Sequence, residues 1–224
     1  MGQDVTLTAS DGHSFSAYKC EPPARVLGSV VIIQEVFGVN EHIRDVTERF
    51  AELDWLAIAP ALYDRWEPAF EVGYTPDEIT KGRQLKDLAN NEIDKVLLDV
   101  EAARSHVAEA GQVGITGYCW GGVVTWLGAC RLDFNAASCY YGAGISNTIE
   151  ESPNCPTLMH FGDKDASIPM EEVKHIAAKQ PSVRVHVYKA DHGFHCDMRG
   201  QFNPTAANIA AMRTARLFDD NLRR

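Results

Sequence analysis

Short apolar runs alternate with helical stripes along most of the chain. Residues 30–33, 56–59, 113–116, 137–141, 157–161 and 183–188 are largely apolar or alternate apolar with polar, and turn-forming residues bound them. Runs that are apolar on successive positions suit strands buried on both faces. Between them Ile43, Val46, Phe50 and Leu53 recur every three or four residues, as do Ile93, Val96, Leu97, Val100 and Val107. Each set marks one face of an amphipathic helix. Met170, Val173, Ile176 and Ala177 repeat the spacing, and residues 204–222 carry Ile209, Met212 and Phe218. Alternation of this kind predicts an α/β fold, a mostly parallel central sheet with helices on both faces. Near the start, residues 5–8 and 15–18 flank Asp11-Gly12 and predict a hairpin. Residues 63–91, with Pro68, Gly73, Pro76 and Gly82, read as a long connection, the kind that walls or covers a site. Nothing marks an internal boundary, so residues 1–224 read as one domain.

Charge narrows the choice of partner. Twenty-one Lys and Arg against thirty-one Asp and Glu give −10, a field that repels phosphate backbones and anionic lipid. Nucleic acid and membrane are not expected as partners, and an anionic substrate would need Arg or Lys at its own site. No apolar run approaches the ~20 residues of a membrane span. The first eleven residues lack the order of a signal peptide, so a cytoplasmic protein is expected. Met1-Gly2 with Thr6 fits the loose myristoylation pattern, but Val5-Thr6-Leu7 reads better as the start of a strand. The six cysteines include no Cys-x-x-Cys pair and read as free thiols.

The chemistry is concentrated at strand ends. Gly117-Tyr118-Cys119-Trp120-Gly121-Gly122 lies between the run ending at Thr116 and a helix expected to begin near Val123. This is Gly-x-Nuc-x-Gly with cysteine as the nucleophile: a strained strand-to-helix turn tolerates only small neighbours two positions away. The following helix would aim its N-terminal N–H groups at the sulfur and favour thiolate over thiol. A buried structural cysteine is the plainer alternative.

Such a nucleophile needs a base and a group that orients the base. In α/β-hydrolase order the acid follows the nucleophile and the histidine comes last. Asp165, in Phe161-Gly162-Asp163-Lys164-Asp165, is favoured over Asp163 because it lies deeper in the loop. A helix cap is the alternative role for either. His192, after the last expected strand, is favoured over His195. The other six histidines read as surface or strand residues. Glu35 ends the apolar run 30–33, where an unpaired carboxylate would be costly. It is either a solvated loop residue or the acceptor of the Cys119 proton.

Taken together, these blocks resemble the dienelactone hydrolase family, a branch of the α/β-hydrolases. The resemblance runs nearly end to end, through Asp11-Gly12-His13, residues 34–40, Pro60-Ala61-Leu62-Tyr63, residues 117–122, Tyr140-Tyr141-Gly142, Asp165 and His192-Gly193-Phe194. It implies a Cys119, His192, Asp165 triad, with Glu35 contacting the resting thiol and the backbone N–H groups of Trp120 and Val36 forming an oxyanion hole. It also implies hydrolysis of a small lactone or ester without a cofactor, by way of an acyl-enzyme. The family's namesakes open dienelactone to maleylacetate in the breakdown of chlorinated aromatics. Members acting on dienelactone hold its carboxylate with arginines, one of them four residues beyond the catalytic histidine, where this chain has Cys196. Arg199, and Arg83 or Lys81 on the long connection, are candidates for that charge.

Three other readings compete, one of them a thiol redox role for Cys119, weakened by the lack of a neighbouring resolving cysteine. His192, His195 and Cys196 offer metal-ligand chemistry within five residues, though not in a zinc-site spacing. The same scaffold could also serve a non-catalytic small-molecule binder.

Overall fold

A computed structural model describes residues 2–223. Its centre is an eight-stranded sheet in the order β1-β2-β4-β3-β5-β6-β7-β8. The expected hairpin is β1 (Gln3–Thr8) and β2 (Ser14–Cys20), paired antiparallel at one edge. β2 also runs antiparallel to β4 (Leu56–Pro60). From β4 onward every pairing is parallel, through β3 (Ser29–Ile33), β5 (Val113–Tyr118), β6 (Ala136–Tyr140), β7 (Thr157–Gly162) and β8 (Arg184–Tyr188). The inner strands β3, β4, β5, β6 and β7 are buried at every position, which is why their sequences are apolar without alternation.

Helices cover both faces. α1 (Glu41–Glu52) and α6 (Pro204–Leu222) share one side, where Phe50 meets Phe218 with ring centroids 5.9 Å apart. α3 (Ile93–Val107) and α4 (Trp120–Arg131) pack together on the other. α5 (Met170–Lys179) completes the expected set. Among the described residues no helix is long and apolar enough to cross a membrane.

Two expectations change. The long connection contains a four-turn helix, α2 (Pro76–Asn91). Pro76 starts it rather than breaking it: Thr75 and Glu78 form a capping box, and a missing N–H is tolerated at a first helical position. The core-facing residues of α2 are Gly82, Leu85 and Ala89, too small as a set to show an apolar stripe. In addition, α4 starts at Trp120, directly after the nucleophile candidate, rather than near Val123.

The topology locates the functional edge. From β3 the chain crosses to β4 on one side, while from β5 it crosses to β6 on the other. The carboxyl ends of β3 and β5 therefore bound a crevice at the switch point, where ligands bind in open α/β sheets. Ile33 pairs with Gly117, so Gln34 and Glu35 emerge beside Tyr118 and Cys119.

Candidate active site

Cys119 occupies the turn between β5 and α4 with φ 54° and ψ −118°, in the positive-φ region that side chains avoid. The turn is held by the Cys119 N–H, which donates to the Tyr140 carbonyl at 3.0 Å, and by the Gly122 N–H, which donates to the Cys119 carbonyl at 2.9 Å. A Cβ at Gly117 would stand 2.3 Å from the Gly121 carbonyl oxygen, and one at Gly121 would stand 2.5 Å from those of Ile33 and Gln34. The flanking glycines are therefore required by close backbone approach.

His192 follows β8 in a loop at the same edge. Its Nε2 lies 3.1 Å from Cys119 Sγ and its Nδ1 lies 2.7 Å from Asp165 Oδ2. The other Asp165 oxygen accepts the Ser167 N–H at 2.8 Å, which fixes the carboxylate. Asp165 is 5% exposed, whereas Asp163 points to solvent. Burial disfavours a charged imidazole here, but the Cys119 sulfur and the Asp165 carboxylate outweigh it and raise His192 to about 10. Tyr141 sets its ring edge-on to His192, centroids 5.2 Å apart. His195 is a buried core residue between Tyr118 and Tyr140.

A cleft of about 660 Å³ opens over the sulfur, lined among others by Val36, Arg83, Lys86, Cys119, Trp120, His192 and Arg199. Trp120 is the first residue of α4, so its N–H has no acceptor within the helix. Its indole stacks on Tyr63 at 5.0 Å and donates to Asn90 Oδ1 at 2.9 Å. Val36 and Trp120 thus border the space above Cys119 from two strand ends.

Several of the expected residues sit differently. Glu35 is 1% exposed, yet neither of its oxygens has a hydrogen-bond partner, so it does not hold the Cys119 thiol. The nearest charge to it is Arg199, whose Nη1 lies 3.7 Å from Glu35 Oε1. Lys81 turns away from the cleft, its Nζ 2.6 Å from Glu67 and 5.3 Å from the Phe70 ring centroid. Lys86 stands in its place. Ile79, Arg83, Lys86 and Asn90 line the cleft at helical spacing, a signal available once α2 is recognised, and Lys81 is two residues from Arg83 and off that face. The trio His192, His195 and Cys196 does not assemble as a ligand set; the group that comes together among the described residues is Glu35, His42 and Cys196. His42, read from sequence as a surface or strand residue, is fully buried in the first turn of α1.

The profile of the dienelactone hydrolase family matches residues 15–222. The chain belongs to the dienelactone hydrolase family. It is 39% identical over 214 residues to a Synechocystis protein named "putative carboxymethylenebutenolidase", covering 87% of this chain and 86% of that one. It is 29% identical over 229 residues to the carboxymethylenebutenolidase of Pseudomonas putida, covering 98% and 95%. A crystal structure described as a "putative dienelactone hydrolase" of Klebsiella pneumoniae superimposes with TM-score 0.82 at 30% identity, over 96% of this chain and 98% of the other. This dienelactone hydrolase-like chain is therefore an α/β-hydrolase acting on ester or lactone bonds.

Proposed function

We propose that the protein opens a small lactone or ester by attack of the Cys119 sulfur, with His192 as proton carrier and Asp165 as the group that orients it. The observation that carries this reading is the unbroken series from Cys119 Sγ through both His192 nitrogens to Asp165, at 3.1 and 2.7 Å, beneath an open cleft. A base whose far nitrogen is fixed by a buried carboxylate keeps its near nitrogen aimed at the nucleophile.

The reaction divides into two halves. Sulfur bonds to the carbonyl carbon, and the oxyanion that forms is met by the Trp120 and Val36 N–H groups. As the ring C–O bond breaks, the departing oxygen takes a proton from His192. Water then gives its proton to His192 and attacks the thioester, returning the sulfur to the histidine. Thiolate attack suits a leaving group that departs as a stabilised enolate, as in dienelactone, and no cofactor is called for. Arg83 and Arg199, with Lys86, place positive charge around the cleft of a chain that carries −10 overall, which suits a substrate bearing a carboxylate.

Spectrophotometric turnover of cis- and trans-dienelactone beside simple lactones and activated esters tests the reading. Hydrolysis of at least one compound should fall by about a thousandfold or more in Cys119→Ala and in His192→Ala. Undiminished turnover in either variant refutes the assigned roles.

A further inference from the structure

A second group of side chains, at the carboxyl end of β3, has no use for its polar atoms in the reaction above. Neither Glu35 oxygen has a hydrogen-bond partner, and His42, fully buried, leaves its Nε2 equally unpartnered. The Cys196 sulfur, also fully buried, completes the set: one ligand atom from each residue lies within 4.8 Å of the other two. Tyr141 adds a buried hydroxyl without a partner, and burial together with the Glu35 charge holds that phenol well above its ordinary range. Orphaned buried polar atoms are costly, and several converging on one point call for an occupant.

We propose that Glu35, His42 and Cys196 bind a single borderline-soft divalent cation of the zinc class. Carboxylate oxygen, imidazole nitrogen and thiolate sulfur together form a donor set that zinc accepts, whereas magnesium and calcium take oxygen alone. His42 is prepared as a ligand from behind. Its Nδ1 lies 3.3 Å from Asp197 Oδ1, an arrangement that puts the proton on Nδ1 and leaves the Nε2 lone pair free, as behind metal-bound imidazoles. Bonds of about 2.0–2.3 Å require only that the three groups draw together around the ion. Cys196 gives up its thiol proton to water as the sulfur–metal bond forms, and the two anionic ligands then balance the dication. Arg199 opposes binding through its place beside Glu35, but it also lines the open cleft and has room to withdraw.

Because Arg199 lines the substrate cleft and would have to withdraw from Glu35, the ion should also slow hydrolysis of an anionic substrate, a consequence that rests on the function proposed above. The binding itself does not, and it is measured without substrate. Cobalt(II) is the probe, in Cys119→Ala so that the catalytic sulfur cannot contribute. One equivalent should bind with a thiolate-to-cobalt charge-transfer band that Cys196→Ser abolishes. His42→Gln should weaken binding at least tenfold, Asp197→Asn by about 10- to 100-fold, and Arg199→Gln should tighten it. Absence of the band in Cys119→Ala with a native circular dichroism spectrum, or a band that survives Cys196→Ser, overturns the proposal in favour of ordered water at the site. Turnover by the wild-type protein without cobalt binding in Cys119→Ala would defeat this site alone, and cobalt binding in Cys119→Ala with no turnover by the wild-type protein would defeat the hydrolytic reading alone.

Discussion

Gly82 of α2 faces Val36 so closely that a Cβ built on it would stand 2.2 Å from the Val36 carbonyl oxygen. The helix that walls the cleft is thereby seated against the strand-end loop that offers the Val36 N–H. Alanine in place of a helical glycine ordinarily stabilises by about 1 kcal/mol. Here the obstacle is backbone, which cannot rotate away, and overpacking costs about 1–3 kcal/mol. Gly82→Ala should lower the thermal midpoint by several degrees and reduce kcat by about tenfold or more, since the displaced loop carries Val36, the proposed oxyanion donor. Wild-type kinetics in this variant would remove Val36 from the proposed machinery.

The six cysteines should separate by reactivity. Burial raises the thiols of Cys130 and Cys196 to about 12 and Cys155 to about 11, and it pushes Cys20 and Cys139 up as well. Cys119 stands at the mouth of a helix N-terminus beside His192, in an open cleft. Sub-stoichiometric iodoacetamide at neutral pH, followed by peptide mapping, should therefore find the label on Cys119, with hydrolysis lost in proportion. First labelling at any other cysteine would contradict an activated Cys119.

Much of this was legible in sequence because burial and strain leave residue-level marks. The run Val30-Val31-Ile32-Ile33 is apolar because both its faces are covered, and Gly121 is glycine because two carbonyl oxygens occupy the space of its Cβ. The order of Cys119, Asp165 and His192 gave their common edge once parallel strands were inferred. α2 escaped notice because its inner face is made of residues too small to register as apolar, and because Pro76 serves as a start signal as well as a stop. Lys81 and Lys86 cannot be told apart until the helix phase is known. His42 could not be recognised as buried, since what covers it comes from Asp197 and Cys196, some 150 residues away.

Stability should be greatest near neutrality, for opposite reasons on the two sides. Burial, with His42 and Arg49 nearby, lowers His195 to about 3, and His160 is likewise held well below its ordinary value by burial. Below pH ~6.5 the unfolded chain takes up protons at these positions and the folded chain does not, so stability falls with pH, by up to about 1.4 kcal/mol per pH unit for each group. His192 acts in the other direction. Raised to about 10, it contributes stability that is fully present below its unfolded value and is lost as pH climbs from ~6.5 towards 10. Urea denaturation from pH 4.5 to 9.5 should trace both limbs. His195→Gln should flatten the acid limb by close to one proton's slope, and an unchanged limb would show that His195 is not the buried neutral group described.

Charge around the cleft gives the sharpest test of substrate class. Arg83, Lys86 and Arg199 line it, while Lys81 is engaged with Glu67. A hydrogen bond from a guanidinium to a substrate carboxylate is worth about 1.5 kcal/mol at the low end, near tenfold in affinity. Arg83→Gln should therefore raise KM about tenfold for a lactone carrying a carboxylate and leave a neutral ester of similar size nearly unaffected. Added salt should shrink the difference between the two substrates, because Arg83 is exposed and screened. Arg199→Gln is expected to lower kcat as well, since it strips the buried Glu35 of the guanidinium 3.7 Å away. Lys81→Gln should change neither substrate. Equal losses on charged and neutral substrates in Arg83→Gln would mean that the residue shapes the cleft without reading charge, and that the preferred substrate is a neutral lactone or ester.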